Sequence, residues 1–234
     1  MDIRERLKEV EERIAKSAER AGSSRSQIKL LAVTKTHSVE IIREALAAGV
    51  EYIGENKVQE AELKIPQLKG LYKEFHYIGH LQANKINKLL ALEPELIHSI
   101  DDLALVEKLN ARLATRNRMQ DILLQVNTSG EESKFGIAPQ AALETAGKIN
   151  QYSNVRLCGL MTIGKFTDNE TELRGSFRLL RELRDQLSSF YPELELKWLS
   201  MGMSNDFEIA IEEGANLLRL GTVLFGLRAC AIRN

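Results

Sequence analysis

Short apolar runs alternate along the chain with stretches whose apolar residues recur every three or four positions. The first periodic stretch contains Ile3, Leu7, Val10 and Ile14, and Gly22 follows it. It predicts an amphipathic N-terminal helix closed at that glycine. The apolar runs predict eight strands, over residues 28–34, 52–55, 75–79, 96–100, 121–127, 155–163, 197–201 and 216–221. Helical stretches separate them, among them Val39 to Ala48 stopped by Gly49, Leu103 to Thr115, and Glu170 to Phe190. Eight strands with intervening helices predict a (β/α)8 TIM barrel with an extra helix in front. An open doubly wound sheet is the alternative, but no Gly-x-Gly-x-x-Gly follows the first strand. No linker or low-complexity tract interrupts residues 1–234, so one domain is expected.

Composition narrows the function classes. Lys plus Arg number 32 and Asp plus Glu 33, so bulk charge points to neither nucleic acid nor an anionic membrane. No apolar stretch reaches transmembrane length, and the N-terminus lacks the apolar core of a signal peptide. The two cysteines, Cys158 and Cys230, form neither a metal pattern nor a disulfide framework. A cytoplasmic protein without a metal is expected.

In a barrel, functional residues collect at the C-terminal ends of the strands. Those ends read Thr34-Lys35, Glu55-Asn56, Gly79-His80, Ser99 to Asp101, Asn127-Thr128, Thr162 to Gly164, Ser200-Met201-Gly202 and Arg219 to Thr222. Lys35 ends an apolar strand, where the plainest role is a stem on apolar surface with its head in water. Two later loops change that reading. Ser200, Gly202 and Ser204 precede a helix starting near Asn205, and Gly221 and Thr222 precede a short one. The loops after strands seven and eight of barrels frequently hold phosphate. Arg219 lies within the last strand and shares a face with Leu217, toward either the lumen or the helices. It needs an acceptor, either an acid such as Asp206 or Glu55 or an electron-rich ligand atom. Lysine, anion cradle and arginine together suggest a phosphorylated aldehyde held as an imine, with pyridoxal 5′-phosphate (PLP) as the candidate.

Other positions stay open. His76 and His80 could line the mouth or be structural. Gln82, Asn84 and Lys85 are expected to cap the following helix, and Lys134 to be solvated or to meet phosphate transiently.

The segments "LLAVTKTHS", "GENKVQE", "FHYIGHLQANK", "HSID", "VNTSGEESKFGI", "GLMTIG", "SMGMSNDFEIAI" and "RLGTVLFGLR" span nearly the whole chain. In that order they resemble the pyridoxal phosphate homeostasis proteins, PLP-binding barrels related to the N-terminal domain of alanine racemase. The resemblance implies that Lys35 forms the imine, that Asn56 lies by the ring, and that Arg219 faces the pyridine nitrogen. It implies that Ser200, Gly221 and Thr222 hold the phosphate, with Met201 in the same binding set. Thr34 stands where many relatives have Ser. The resembled racemases complete their site with a tyrosine from a second domain and a partner subunit. The chain reaches Asn234 six residues after "FGLR", without sequence for such a domain. The expectation is therefore a monomeric carrier, buffer or regulator of PLP that serves apo PLP-dependent enzymes and has no catalytic residues. A weak racemase, a sugar-phosphate aldolase and a docking module are the competing readings.

Overall fold

The computed structural model describes residues 1–226. Cys230 and the end of "RLGTVLFGLR" lie outside them. Eight parallel strands close into a barrel in sequence order: β1 Lys29–Val33, β2 Tyr52–Glu55, β3 Glu74–Tyr77, β4 Leu96–Ile100, β5 Gln120–Gln125, β6 Val155–Met161, β7 Trp198–Ser200 and β8 Leu217–Leu220. Each lies within a residue or two of its expected run. The helices are α1 Ile3–Arg20, α2 Val39–Ala48, α3 Val58–Leu68, α4 Ile86–Ala91, α5 Leu103–Ala114, α6 Ala142–Ile149, α7 Glu170–Phe190, α8 Phe207–Glu212 and α9 Thr222–Phe225.

Local chemistry explains the main boundaries. Asp2 and Glu5 form a reciprocal capping box at the start of α1, satisfying two backbone N–H groups that would otherwise lack partners. Ser38 caps α2 and Gly49 ends it at φ 116°, a left-handed conformation that a side chain disfavours. Asn169 caps α7. Two apolar layers result. One lies between the strands and the surrounding helices. A smaller one fills the lumen with Leu31, Leu96, Leu123, Cys158, Met161 and Leu217. Leu31 pairs with Arg219 in register, and Leu217 belongs to the lumen layer, so Arg219 also points into the lumen. Periodicity left both faces open; barrel closure selects one.

Candidate functional site at the C-terminal mouth

The loop after β1 is clamped from below. Thr34 is buried, and its hydroxyl donates to Glu55 Oε1 at 2.7 Å. The Lys64 ammonium, reaching in from α3, donates to the Thr34 carbonyl (3.0 Å), Glu55 (2.9 Å) and Glu60 (3.0 Å). Glu60 also accepts the Thr36 N–H at 2.8 Å. Thr36 sits at φ 67°, an outlier for a β-branched residue. Such a conformation persists only where the surroundings enforce it. Half-buried Lys35 is thus carried on a loop fixed by the side chains of Glu55, Glu60 and Lys64. Burial raises the Glu55 pKa, and its bonds to Thr34 and Lys64 offset this only partly. Thr34 joins the clamp through its hydroxyl, the group that serine shares. Lys64 was not foreseen; its four-residue spacing from Glu60 was the available signal.

Asn56 follows β2. Its Oδ1 is a buried acceptor with no partner among the described residues. Gly79 lies against it: a Cβ there would sit 1.9 Å from the Asn56 carbonyl oxygen, so no side chain fits. Tyr77 donates weakly to the carbonyls of Asn56 and His80, at 3.4 and 3.3 Å. Burial pushes its phenol up to about 12.

The loops after β7 and β8 meet at Ser204. Its hydroxyl accepts the N–H groups of Gly221 (3.2 Å) and Val223 (3.3 Å). Thr222 is exposed at the start of α9. Gly202 has φ 93°, and a Cβ would press within 2.8 Å of Ala210. Met201 is fully buried beneath this loop. Ser200 is the last residue of β7. Its hydroxyl is buried below the mouth, bonded to Arg219 Nη1 at 2.6 Å and His98 Nδ1 at 2.9 Å. Ser204, not Ser200, stands at the junction of the two loops.

Arg219 also donates to the Thr162 carbonyl at 2.8 Å. Neither acid expected as a partner forms an ion pair with it. Glu55 is taken by Lys64, and Asp206 accepts the Met203 N–H. Burial lowers the Arg219 pKa to about 10 while Asp206 attracts from farther away, so the group stays charged at neutral pH. No carboxylate lies within ion-pair distance of it among the described residues.

Four further expectations resolve. His76 is not at this mouth: it is buried in the lumen toward the opposite end, where its Nε2 meets Glu74 at the start of β3. His80 is at the mouth, stacked on Phe135 and 3.9 Å from Asp101. Neither Gln82 nor Lys85 makes a side-chain cap bond. Lys134 is mostly buried, held by Glu131 (2.9 Å) and the Gly164 carbonyl (2.6 Å) rather than solvated. Among the described residues no cluster of His, Cys, Asp or Glu could hold a metal ion, and no helix is long and apolar enough to cross a membrane.

An unpartnered buried acceptor at Asn56, a buried guanidinium without a counter-ion, and backbone N–H groups at a two-loop junction suit a flat, phosphorylated heterocycle. Residues 6–229 match the family model described as alanine racemase, N-terminal domain. A pyridoxal phosphate homeostasis protein of Aquifex aeolicus is 46% identical over 228 residues, covering 97% of this chain and 99% of its own. One from Helicobacter pylori is 43% identical, with 96% and 99% covered. Among solved structures, PipY of Synechococcus elongatus with PLP bound is 36% identical, with a TM-score of 0.79 over 90% of this chain and 100% of that one. Alanine racemase from Corynebacterium glutamicum shares the fold at 14% identity, with a TM-score of 0.69 over 96% of this chain and 62% of that one.

Proposed function

The chain belongs to the pyridoxal phosphate homeostasis proteins, and we propose on that footing that it binds PLP and holds it for delivery, with little or no turnover of its own. The observation that carries this reading is Arg219, a charged group in the lumen without a carboxylate partner among the described residues. An uncompensated buried charge is costly, and a ring nitrogen lone pair supplies the missing acceptor. When bound, PLP brings an aldehyde that an amine can capture and an electron-poor ring.

The remaining roles follow from position. Lys35 is the covalent anchor, on a loop that its clamp keeps from drifting. Asn56 lies beside the ring with its free acceptor. Gly221, Thr222 and Ser204 receive the phosphate, and Met201 floors their loop. Ser200 acts through Arg219.

Turnover of amino acids needs a positioned acid or base besides the lysine. Tyr77 binds its proton too tightly, His76 lies deep in the barrel, and His80 is stacked on Phe135 beside Asp101. The barrel's relatives named for homeostasis are matched over 96–99% of their length, whereas the racemase is matched over 62% of its own. Carriage of PLP to apo-enzymes fits these features, and a cytoplasmic monomer is part of the same proposal.

The test is a visible spectrum of the PLP-loaded protein before and after borohydride, with the modified residue mapped. Borohydride should bleach the band and leave the label on Lys35, and Lys35→Ala should lose the band while keeping a folded far-UV spectrum. A label found solely on another lysine refutes the anchor.

A further inference from the structure

Below Arg219 a single file of polar groups crosses the apolar lumen. Arg219 Nη1 meets Ser200 Oγ at 2.6 Å, and Ser200 Oγ meets His98 Nδ1 at 2.9 Å. His98 Nε2 meets His76 Nδ1 at 2.9 Å, and His76 Nε2 meets Glu74 Oε2 at 2.8 Å. The file ends at the N-terminal mouth. There Lys29 Nζ lies 2.5 Å from the same Glu74 oxygen, between the rings of Tyr52 (4.4 Å) and Trp198 (4.7 Å). An open cleft of about 660 Å³ reaches Lys29, Glu74 and His76 from that side. The links come from β8, β7, β4, β3 and β1, so the file spans the barrel from one end to the other. The function proposed above uses none of Glu74, His76 or His98.

Donor and acceptor accounting orients the whole file. Glu74 is a carboxylate and only accepts, so His76 carries its proton on Nε2. A neutral His76 then accepts at Nδ1, so His98 carries its proton on Nε2. A neutral His98 accepts at Nδ1, so the Ser200 hydroxyl donates to it. Ser200 is left accepting from Arg219, which only donates. Every bond points from the guanidinium toward the carboxylate, and no other arrangement of neutral rings satisfies both ends. The electrostatics agree. Burial keeps both rings neutral: His76 is held down by burial against the pull of Glu74, and His98 well down by burial, His76, Arg219 and Lys29. Burial would raise Glu74, but the bonds from His76 and Lys29 outweigh it and bring its pKa to about 2. Arg219, lowered by burial to about 10, keeps its proton at neutral pH and so remains a donor to Ser200.

We propose that Ser200, His98, His76 and Glu74 are positioning residues for the cofactor site, and that Glu74, at the far mouth, sets the direction of the hydrogen bonds that hold Arg219 in place. The contact of Arg219 with the cofactor rests on the proposed function; the direction of the file does not. Removing the anion from Glu74 lets His76 turn into an acceptor from an amide. The neighbouring bonds can then reverse, and Ser200 faces two donors. Arg219 loses its single bonded geometry without any change at the mouth that contains it.

Nitrogen-15 NMR of the PLP-free protein, labelled in its four histidines, tests the direction. His76 and His98 should both be neutral with protons on Nε2 between about pH 6 and 8, where unperturbed histidine titrates. An Nδ1–H tautomer or an imidazolium at either overturns the proposal, and this arm needs no variant. In Glu74→Gln, both ring nitrogens of His98 should shift although His98 does not touch residue 74, while His37 and His80 stay unmoved. An unchanged His98 overturns the coupling. In the PLP-loaded protein, Glu74→Gln and Ser200→Ala should each shift the visible absorption maximum while borohydride still labels Lys35. Wild-type spectra in both variants refute positioning. A wild-type protein that takes up no PLP refutes the function instead and leaves the NMR arms standing.

Discussion

Lys64 and Glu74 show how single ionic residues shape opposite ends of the barrel. Lys64 is nine-tenths buried between Glu55, Glu60 and the Thr34 carbonyl. Removing one partner of a buried ionic cluster leaves the others uncompensated. Lys64→Met should therefore cost about 3 kcal/mol. For a chain of this size that is a fall in Tm of roughly 6–12 °C. Adding Glu55→Gln should recover part of the loss, because it removes the stranded anion; calorimetry of the two variants reads both. Glu74 gives a pH prediction. Its folded pKa of about 2 lies below the ordinary 4.5, so the folded state binds its proton less readily than the unfolded chain. Its contribution is complete above about pH 4.5 and drains as the pH falls toward 2. Allowing for solvent screening, about 2 kcal/mol is involved. Urea titrations at pH 6 and pH 3 should show a smaller loss of stability in Glu74→Gln than in the unsubstituted protein. An equal loss contradicts the assignment.

Among the elements, α7 and α8 are joined through one acid. Glu213, directly after α8, is 5% exposed and faces Arg174, Arg178 and Arg181 of α7 at 3.6, 3.1 and 3.4 Å. The preceding residue, Glu212 at the end of α8, ties Arg174 to Arg20 of α1. These bonds fasten α1 and α7 to the short helix whose leading loop carries Ser204. Glu213→Ala should lower stability by about 2 kcal/mol, since the arginines regain water that a buried partner would not. Thermal unfolding should shift down by roughly 4–8 °C. Arg178→Ala, which leaves two of the three partners in place, should move it far less. If the two variants fall equally, Glu213 is not the shared anchor.

At the scale of the whole molecule, the proposed function has the barrel hold PLP from two sides, with a covalent anchor after β1 and N–H donors after β8. Charge-assisted hydrogen bonds to a phosphate contribute about 1.5–3 kcal/mol each. Pyridoxal without its phosphate should bind at least about tenfold more weakly, since about 1.4 kcal/mol is a factor of ten. Equal affinities, measured by fluorescence titration, would remove the phosphate from the two-loop junction. A carrier is also distinguished from an enzyme by rate. General acid–base groups typically contribute about 10²–10⁴-fold, so a site lacking one should fall far below the ordinary kcat of about 10 s⁻¹ on L- and D-amino acids. A kcat near that median on any of them would restore the enzyme reading.

The order of elements was legible because strand and helix periodicities are local properties of the chain. The runs at residues 52–55 and 96–100, and the helices Val39–Ala48 and Glu170–Phe190, recur unchanged in the structure. Lys35, Asn56, Gly221 and Thr222 were legible as candidates because a barrel gathers strand ends at one mouth. What those local patterns could not contain was pairing across the sheet. Whether Arg219 turned inward depended on the register of β8 against β1. Ser200 and His98 are 102 positions apart in sequence and touch only because the barrel closes. His76 could be read as a mouth residue until the strand start at Glu74 put it near the other end. Sequence alone determined which segments are strands and which are helices, and it pointed to the mouth where the candidate site residues gather. Tertiary structure decided which side chains face one another inside, because a hydrogen bond depends on distance across strands and not on position along them.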